Sequence, residues 1–154
     1  TGEVMGKDST LEKALYKGLI AAGRKVPLHG TILFTIADKH KEEATKMAKR
    51  FSEIGFRILA TQGTAKAFEE SGIKTEIVYK IADGENNNTI IEKIQRGVVH
   101  YVVNTISKGK KPENDGFRIR RTSVENGVPC FTSLDTAEAV LKVIESMTFK
   151  MEVM

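Results

Sequence analysis

Residues 58–65 read Ile58-Leu59-Ala60-Thr61-Gln62-Gly63-Thr64-Ala65. An apolar run stops at a Thr-x-Gly-Thr loop and passes straight into helix-forming residues, the pattern of a buried strand turning into a helix. Such a turn aims two hydroxyls and several unpaired N–H groups at one point, at the positive end of a helix dipole, where an anion such as phosphate sits well. The plain alternative is a Thr N-cap with a glycine that permits a tight turn. The rest of the chain has to decide between them.

Outward from this loop, strands and helices alternate. Residues 31–36 (TILFTI) form an apolar strand, and 41–54 an amphipathic helix with Ala44, Met47, Ala48, Phe51 and Ile54 on one face and Gly55 closing it. Strand 56–60 leads into the loop, and a short helix runs from 64 to 71. Strand 75–79, helix 86–96 ending at Gly97, strand 98–103, short strand 128–131 and a last helix over 134–147 follow. Ahead of them, Ser9-Thr10-Leu11-Glu12 has capping-box spacing and opens a helix carrying Leu11, Leu15, Leu19 and Ala22, with Gly23 as its C-cap. Strands apolar on both faces, separated by helices, point to a three-layer α/β/α fold with a parallel sheet. The loop 107–116 (SKGKKPENDG) is the one solvated insertion, and no internal repeat is visible.

Ligands of such sheets bind beyond the carboxyl ends of the strands. The residues there are Lys41 after the first strand, Thr61, Gly63 and Thr64 after the second, Lys80 after the third, and Asn104 and Thr105 after the fourth. Together they offer the donors and positive charge that a phosphate with a polar appendage needs. Lys41 stands near a helix N-terminus, where the dipole opposes a cation, so a neighbouring anion is expected; alternatively, Glu42 and Glu43 neutralise a solvated turn. Lys80 alone fits a snorkelling strand-end lysine, and Asn104 alone a turn cap. The signal is their convergence.

Composition narrows the function classes. The 154 residues suffice for one domain with a core, and 40% hydrophobic with 29% charged residues is ordinary for a globular protein. A net charge of +4, with scattered aromatics and no Trp, suits small anions better than nucleic acid. The single cysteine, Cys130, excludes an internal disulfide and reads as a buried strand residue. No membrane span or signal peptide is visible, and a cytoplasmic location is expected. His29, His40 and His100 show no metal-ligand spacing, so no metal site is expected. The start at Thr1 suggests a piece of a longer protein.

The opening Thr1-Gly2-Glu3-Val4-Met5-Gly6 resembles the segment that joins the synthetase body of carbamoyl phosphate synthetase large subunits to their C-terminal regulatory domain. The remainder resembles that domain, of the methylglyoxal-synthase-like family, in Leu33-Phe34-Thr35 followed by Lys41, Ala60-Thr61-Gln62-Gly63-Thr64-Ala65, Val78-Tyr79-Lys80, Val103-Asn104-Thr105 and Ile119-Arg120-Arg121-Thr122. The resemblance implies a junction segment over 1–8 and a regulatory domain over 9–154, with a five-stranded parallel sheet in the order 3-2-1-4-5. It implies a nucleotide monophosphate effector, with UMP inhibiting and IMP activating. Lys41, Thr61, Gly63, Thr64, Lys80, Asn104 and Thr105 would hold it, and Thr132 would lie on the ornithine side. Implied partners are the rest of the large subunit and its glutaminase small subunit. No cofactor is expected in this domain, the parent enzyme using ATP, magnesium and bicarbonate in pyrimidine and arginine biosynthesis. Ile106 stands where bacterial relatives carry a second Thr after Asn-Thr, with Ser107 as its substitute.

Two other classes compete. Methylglyoxal synthase needs a carboxylate base and a histidine acting on dihydroxyacetone phosphate. Its Gly-Pro-x-Gly-Gly-Asp segment would fall near 80–86, where this chain has Ile81-Ala82-Asp83-Gly84-Glu85, and Pro112-Glu113 stands where the enzyme has Pro-His. A homo-oligomerisation module, using the first helix, is the third class. Arg118, Arg120 and Arg121 are expected to pair with Glu125 or Asp115.

Overall fold

A computed structural model describes residues 29–79, 90–105 and 115–153. The expected junction 1–8, the first helix, Lys80, the 80–86 segment and the Ile106–Ser107 and Pro112–Glu113 positions lie outside the described residues.

The first strand, β1 (Thr31–Thr35), is buried along its whole length, as a central parallel strand must be. It is flanked by β2 (Arg57–Thr61) and β4 (Tyr101–Asn104), with β3 (Thr75–Val78) and β5 (Cys130–Phe131) at the edges. Every pairing is parallel and the order is β3-β2-β1-β4-β5, as the resemblance implies.

Helix α1 (Lys41–Glu53) buries Ala44, Met47, Ala48 and Phe51, the stripe its sequence spacing marks. It stops where Gly55 takes a φ of +99° and Phe56 N–H donates back to Phe51 O at 3.0 Å, a conformation a side chain would strain. Helices α2 (Gln62–Glu70) and α5 (Leu134–Val153) contribute to the same face. There Phe34 meets Phe51 and Phe68 edge-on, at centroid distances of 6.2 and 5.2 Å. Helices α3 (Ile90–Gln95) and α4 (Asp115–Glu125) cover the other face, over Leu33, Leu59, Val78 and Val102. The alternation of Ile32, Leu33 and Phe34 between two cores is the period of a strand covered on both sides.

Several boundaries differ from the sequence reading: β5 starts at Cys130 rather than 128, α2 at Gln62 rather than 64, and other strand ends move by one residue. The fourth strand starts at Tyr101 rather than 98, because Val98 and Val99 still belong to the turn that ends α3. Gly97 has a φ of +76°, and Val98 N–H donates back to Lys93 O at 3.2 Å. The last helix continues past 147 to Val153.

Connections leave β1 toward β2 on one side, and the chain returns to β1's other side with β4. The strand order therefore reverses between β1 and β4, which opens a crevice at their carboxyl ends.

Candidate anion-binding site

The second strand delivers Thr61 to the crevice edge, and α2 begins at the next residue. Thr61 is extended (φ −67°, ψ 160°) and no side chain caps the helix, so its first N–H groups stand outside its own hydrogen-bond ladder. Thr61 and Thr64 are both buried, Thr64 to 2% exposure. Their hydroxyls lie 3.4 Å apart, and Thr64 Oγ1 accepts the Ile36 N–H, also at 3.4 Å. O–H···O bonds ordinarily close to about 2.7–2.8 Å and N–H···O bonds to about 2.9–3.0 Å, so both are loose. Whichever threonine donates to the other, one proton of the pair is left without an acceptor among these contacts. A buried donor in that condition is costly unless a ligand accepts from it.

Lys41, first residue of α1, completes the arrangement from the β1 side. A Cβ built on Gly63 would lie 3.2 Å from Lys41 Nζ, so the glycine makes room for the ammonium at the start of α2. An ammonium against the positive end of a helix is unfavourable until a negative charge joins them. Lys41 Nζ is ion-paired with Asp38, on the 3-10 turn Asp38–His40. Lys41, Thr61, Gly63 and Thr64 thus come together at the start of α2.

The β4 side is different. Asn104, 2% exposed, accepts the Thr35 hydroxyl at 2.6 Å and donates from Nδ2 to Gly116 O at 2.9 Å. Thr105 Oγ1 accepts the Ala37 N–H at 2.8 Å, and its own N–H donates to Thr35 O at 3.0 Å. These two residues reach the same sheet edge, but their polar atoms fasten the turn after β1 and the first turn of α4. Thr132 is exposed beyond β5 at the far edge, where the neighbouring Ser133 Oγ accepts the Thr136 N–H at 3.3 Å.

Sequence reasoning did not single out Thr35, which looked like one more position of an apolar strand, or Asp38, three residues before Lys41. The strand-end rule that selected Asn104 also covers Thr35, its registered neighbour on β1.

Several other expectations can be placed. His100 sits just before β4, and its Nδ1 accepts the Thr31 N–H at 3.0 Å, at the opposite edge of the sheet from the crevice. That bond fixes the imidazole proton on Nε2 and gives His100 a structural task. Gly30 packs against this ring, and a Cβ there would lie 2.4 Å from Nδ1. Cys130 is half-buried; burial pushes its thiol up to about 11, against a smaller lowering by a Ser123 hydrogen bond and by Arg120. Arg118, Arg120 and Arg121 are exposed, and the ion pairs among the described residues lie elsewhere, not at Glu125. Among the described residues no cluster of three potential metal ligands occurs, and no helix is long and apolar enough to cross a membrane.

The profile of the MGS-like domain family matches residues 43–132, more than half of the chain. The chain belongs to the MGS-like domain family. Among solved structures it is similar to methylglyoxal synthase from Elizabethkingia anophelis NUHP1, with a TM-score of 0.61 and 20% identity over 75% of this chain and 79% of that one. It is also similar to ForH, with a TM-score of 0.56 and 19% identity over 78% and 81% of the two chains. At these identities the likenesses establish a shared fold.

Proposed function

We propose that this chain is the regulatory domain of a carbamoyl phosphate synthetase large subunit, and that its cradle binds a phosphorylated nucleotide effector of the UMP or IMP kind. The observation that carries the reading is the donor set at the start of α2. Lys41 lies over Gly63, a hydroxyl proton is left over between Thr61 and Thr64, and the helix has no side-chain cap. Each of these groups offers positive charge or a proton, which is what a phosphate monoester accepts. The Thr1–Gly6 junction motif favours the synthetase over a stand-alone enzyme. In this proposal Lys80 and Thr105 complete the nucleotide site and Thr132 faces ornithine.

The domain acts by differential affinity. An effector that binds one arrangement of the domain against the synthetase body more tightly shifts the equilibrium by that difference, typically ~1–3 kcal/mol. The likeness to methylglyoxal synthase does not favour lyase chemistry here. Acid–base catalysis needs a carboxylate and an electrophile at the substrate, and neither stands in register in the sequence at 80–86 or at Pro112-Glu113.

Calorimetric titration of the chain with UMP and IMP at low salt tests the reading. Saturable binding that is lost in Thr64→Ala is expected. Formation of methylglyoxal from dihydroxyacetone phosphate, or no nucleotide binding, would overturn it.

A further inference from the structure

We propose that Tyr79 is the platform on which the base of the bound nucleotide stacks, so that the cradle holds the phosphate and the end of β3 reads the nucleoside. The inference rests on reading the cradle as a nucleotide phosphate site, and it names a residue that recognises the rest of that ligand.

Among the described residues the exposed large apolar side chains are Ile77 at 38%, Tyr79 at 36% and Val124. The first two stand together along one edge strand. Side chains alternate there, so Val78 enters the core beneath α3 and α4 while Ile77 and Tyr79 face the other side of the sheet, where α2 lies. Val78 is the register partner of Thr61, so their backbones are one strand spacing apart, ~4.8 Å. Tyr79 lies one step further toward the crevice, as Gln62, the first residue of α2, does beyond Thr61. Its backbone is tied down, because Tyr79 O accepts the Ile90 N–H at 3.1 Å. Its ring meets no other aromatic ring among the described residues. A fixed backbone carrying a partly open ring presents a flat apolar surface beside the phosphate cradle. A nucleotide held there by its phosphate brings a planar base on its ribose, and that base gains by leaving water for such a surface. Tyrosine offers the surface at low entropic cost, with two rotatable bonds, and stacking accepts any base because each has a π-face. Ile77, two residues back on the same side, extends the shelf.

The test titrates UMP, IMP, ribose 5-phosphate and inorganic phosphate into the full chain at low salt, comparing wild type with Tyr79→Ala and Tyr79→Phe. Wild type is expected to bind both nucleotides more tightly than ribose 5-phosphate. Tyr79→Ala should weaken UMP and IMP about fivefold or more, the lower end of what one base–aromatic stack contributes. It should leave inorganic phosphate and ribose 5-phosphate unchanged. Tyr79→Phe should keep wild-type affinity, because the ring makes the contact and the hydroxyl does not. A second readout uses wild type alone and decides where a variant fails to fold. The Tyr79 ring protons should shift upfield with UMP or IMP and stay in place with ribose 5-phosphate. Nucleotide affinity unchanged in Tyr79→Ala, a loss shared equally by inorganic phosphate, or ring protons that ignore the base overturns this inference and leaves the cradle standing. If wild type binds none of the four, the cradle reading falls and this inference falls with it.

Discussion

The two halves of the crevice use the same residue types to opposite ends. On the β2 side, Thr61 and Thr64 are joined to each other and to Ile36 by contacts of 3.4 Å, with a proton left over and a lysine above. On the β4 side, Asn104 and Thr105 make bonds of 2.6–3.0 Å to Thr35, Gly116 and Ala37. Position at a strand end therefore serves structure as well, since Asn104 and Thr105 fasten neighbouring turns. What separates the halves is how closely the protein holds their polar atoms, for on both sides a threonine hydroxyl proton has no acceptor among these contacts.

The largest expected effect breaks the β4 half. Asn104→Ala leaves the Thr35 hydroxyl without its acceptor and Gly116 O without its side-chain donor. It should cost about 2–4 kcal/mol in chemical denaturation, since each buried group left unsatisfied costs ~1–3 kcal/mol. A change below 0.5 kcal/mol, about the scatter of neutral surface substitutions, would mean that the Asn104 bonds are not structural.

A pH titration sharpens the same side. Cys130 borders β4 on its outer edge, and burial favours its neutral thiol, raising its pKa to about 11 from 9.0. The group is acidic with a raised folded value, so its contribution to stability is present below pH 9 and is lost as pH climbs toward 11. Thiolate absorbance followed across that window should show a midpoint near the upper value. A midpoint at the unfolded value would show that the site is wetter than its burial indicates.

Lys41→Met and Thr64→Ala strike the β2 half. Each is expected to weaken phosphate or UMP binding about tenfold or more, ~1.4 kcal/mol, while moving the denaturation midpoint less than Asn104→Ala does. The smallest effect lies away from the crevice, where α1 is pinned to α5. Arg50 reaches Glu145 at 2.5 and 3.1 Å and Glu138 at 3.1 Å, and its pKa is raised, chiefly by the Glu145 hydrogen bonds. With all three side chains about a third exposed or more, Glu145→Gln should cost no more than ~1 kcal/mol and less in high salt, measured by thermal denaturation.

Much of the fold was legible because it is written in local periodicity. The apolar spacing of α1 and the unbroken apolar run of β1 each admit one structure once the helices and strands alternate. The β4 boundary was misread because Val98 and Val99 are apolar in a turn as much as in a strand, and only the Gly97 backbone conformation separates the two. The meeting of Lys41 with the Thr61–Thr64 loop was legible because Thr61, Gly63 and Thr64 are adjacent in sequence and Lys41 follows a strand. The structural task of Asn104 was not. It depends on Thr35, 69 residues away, and on a carbonyl 12 residues away, neither of which a local pattern reports. Asp38 lies in the same strand-end stretch as Lys41, but its pairing with that lysine was not legible. An acid three residues before a lysine in an exposed turn looks like ordinary solvation until Gly63 shows where that lysine lies.

The most direct test follows backbone amide resonances while UMP is titrated into the chain at low salt. The account predicts that the largest saturable shifts fall on Gln62, Gly63 and Thr64 and are abolished by Lys41→Met. Shifts concentrated at Asn104 and Gly116, or shifts at the α2 amides that persist in Lys41→Met, would contradict it.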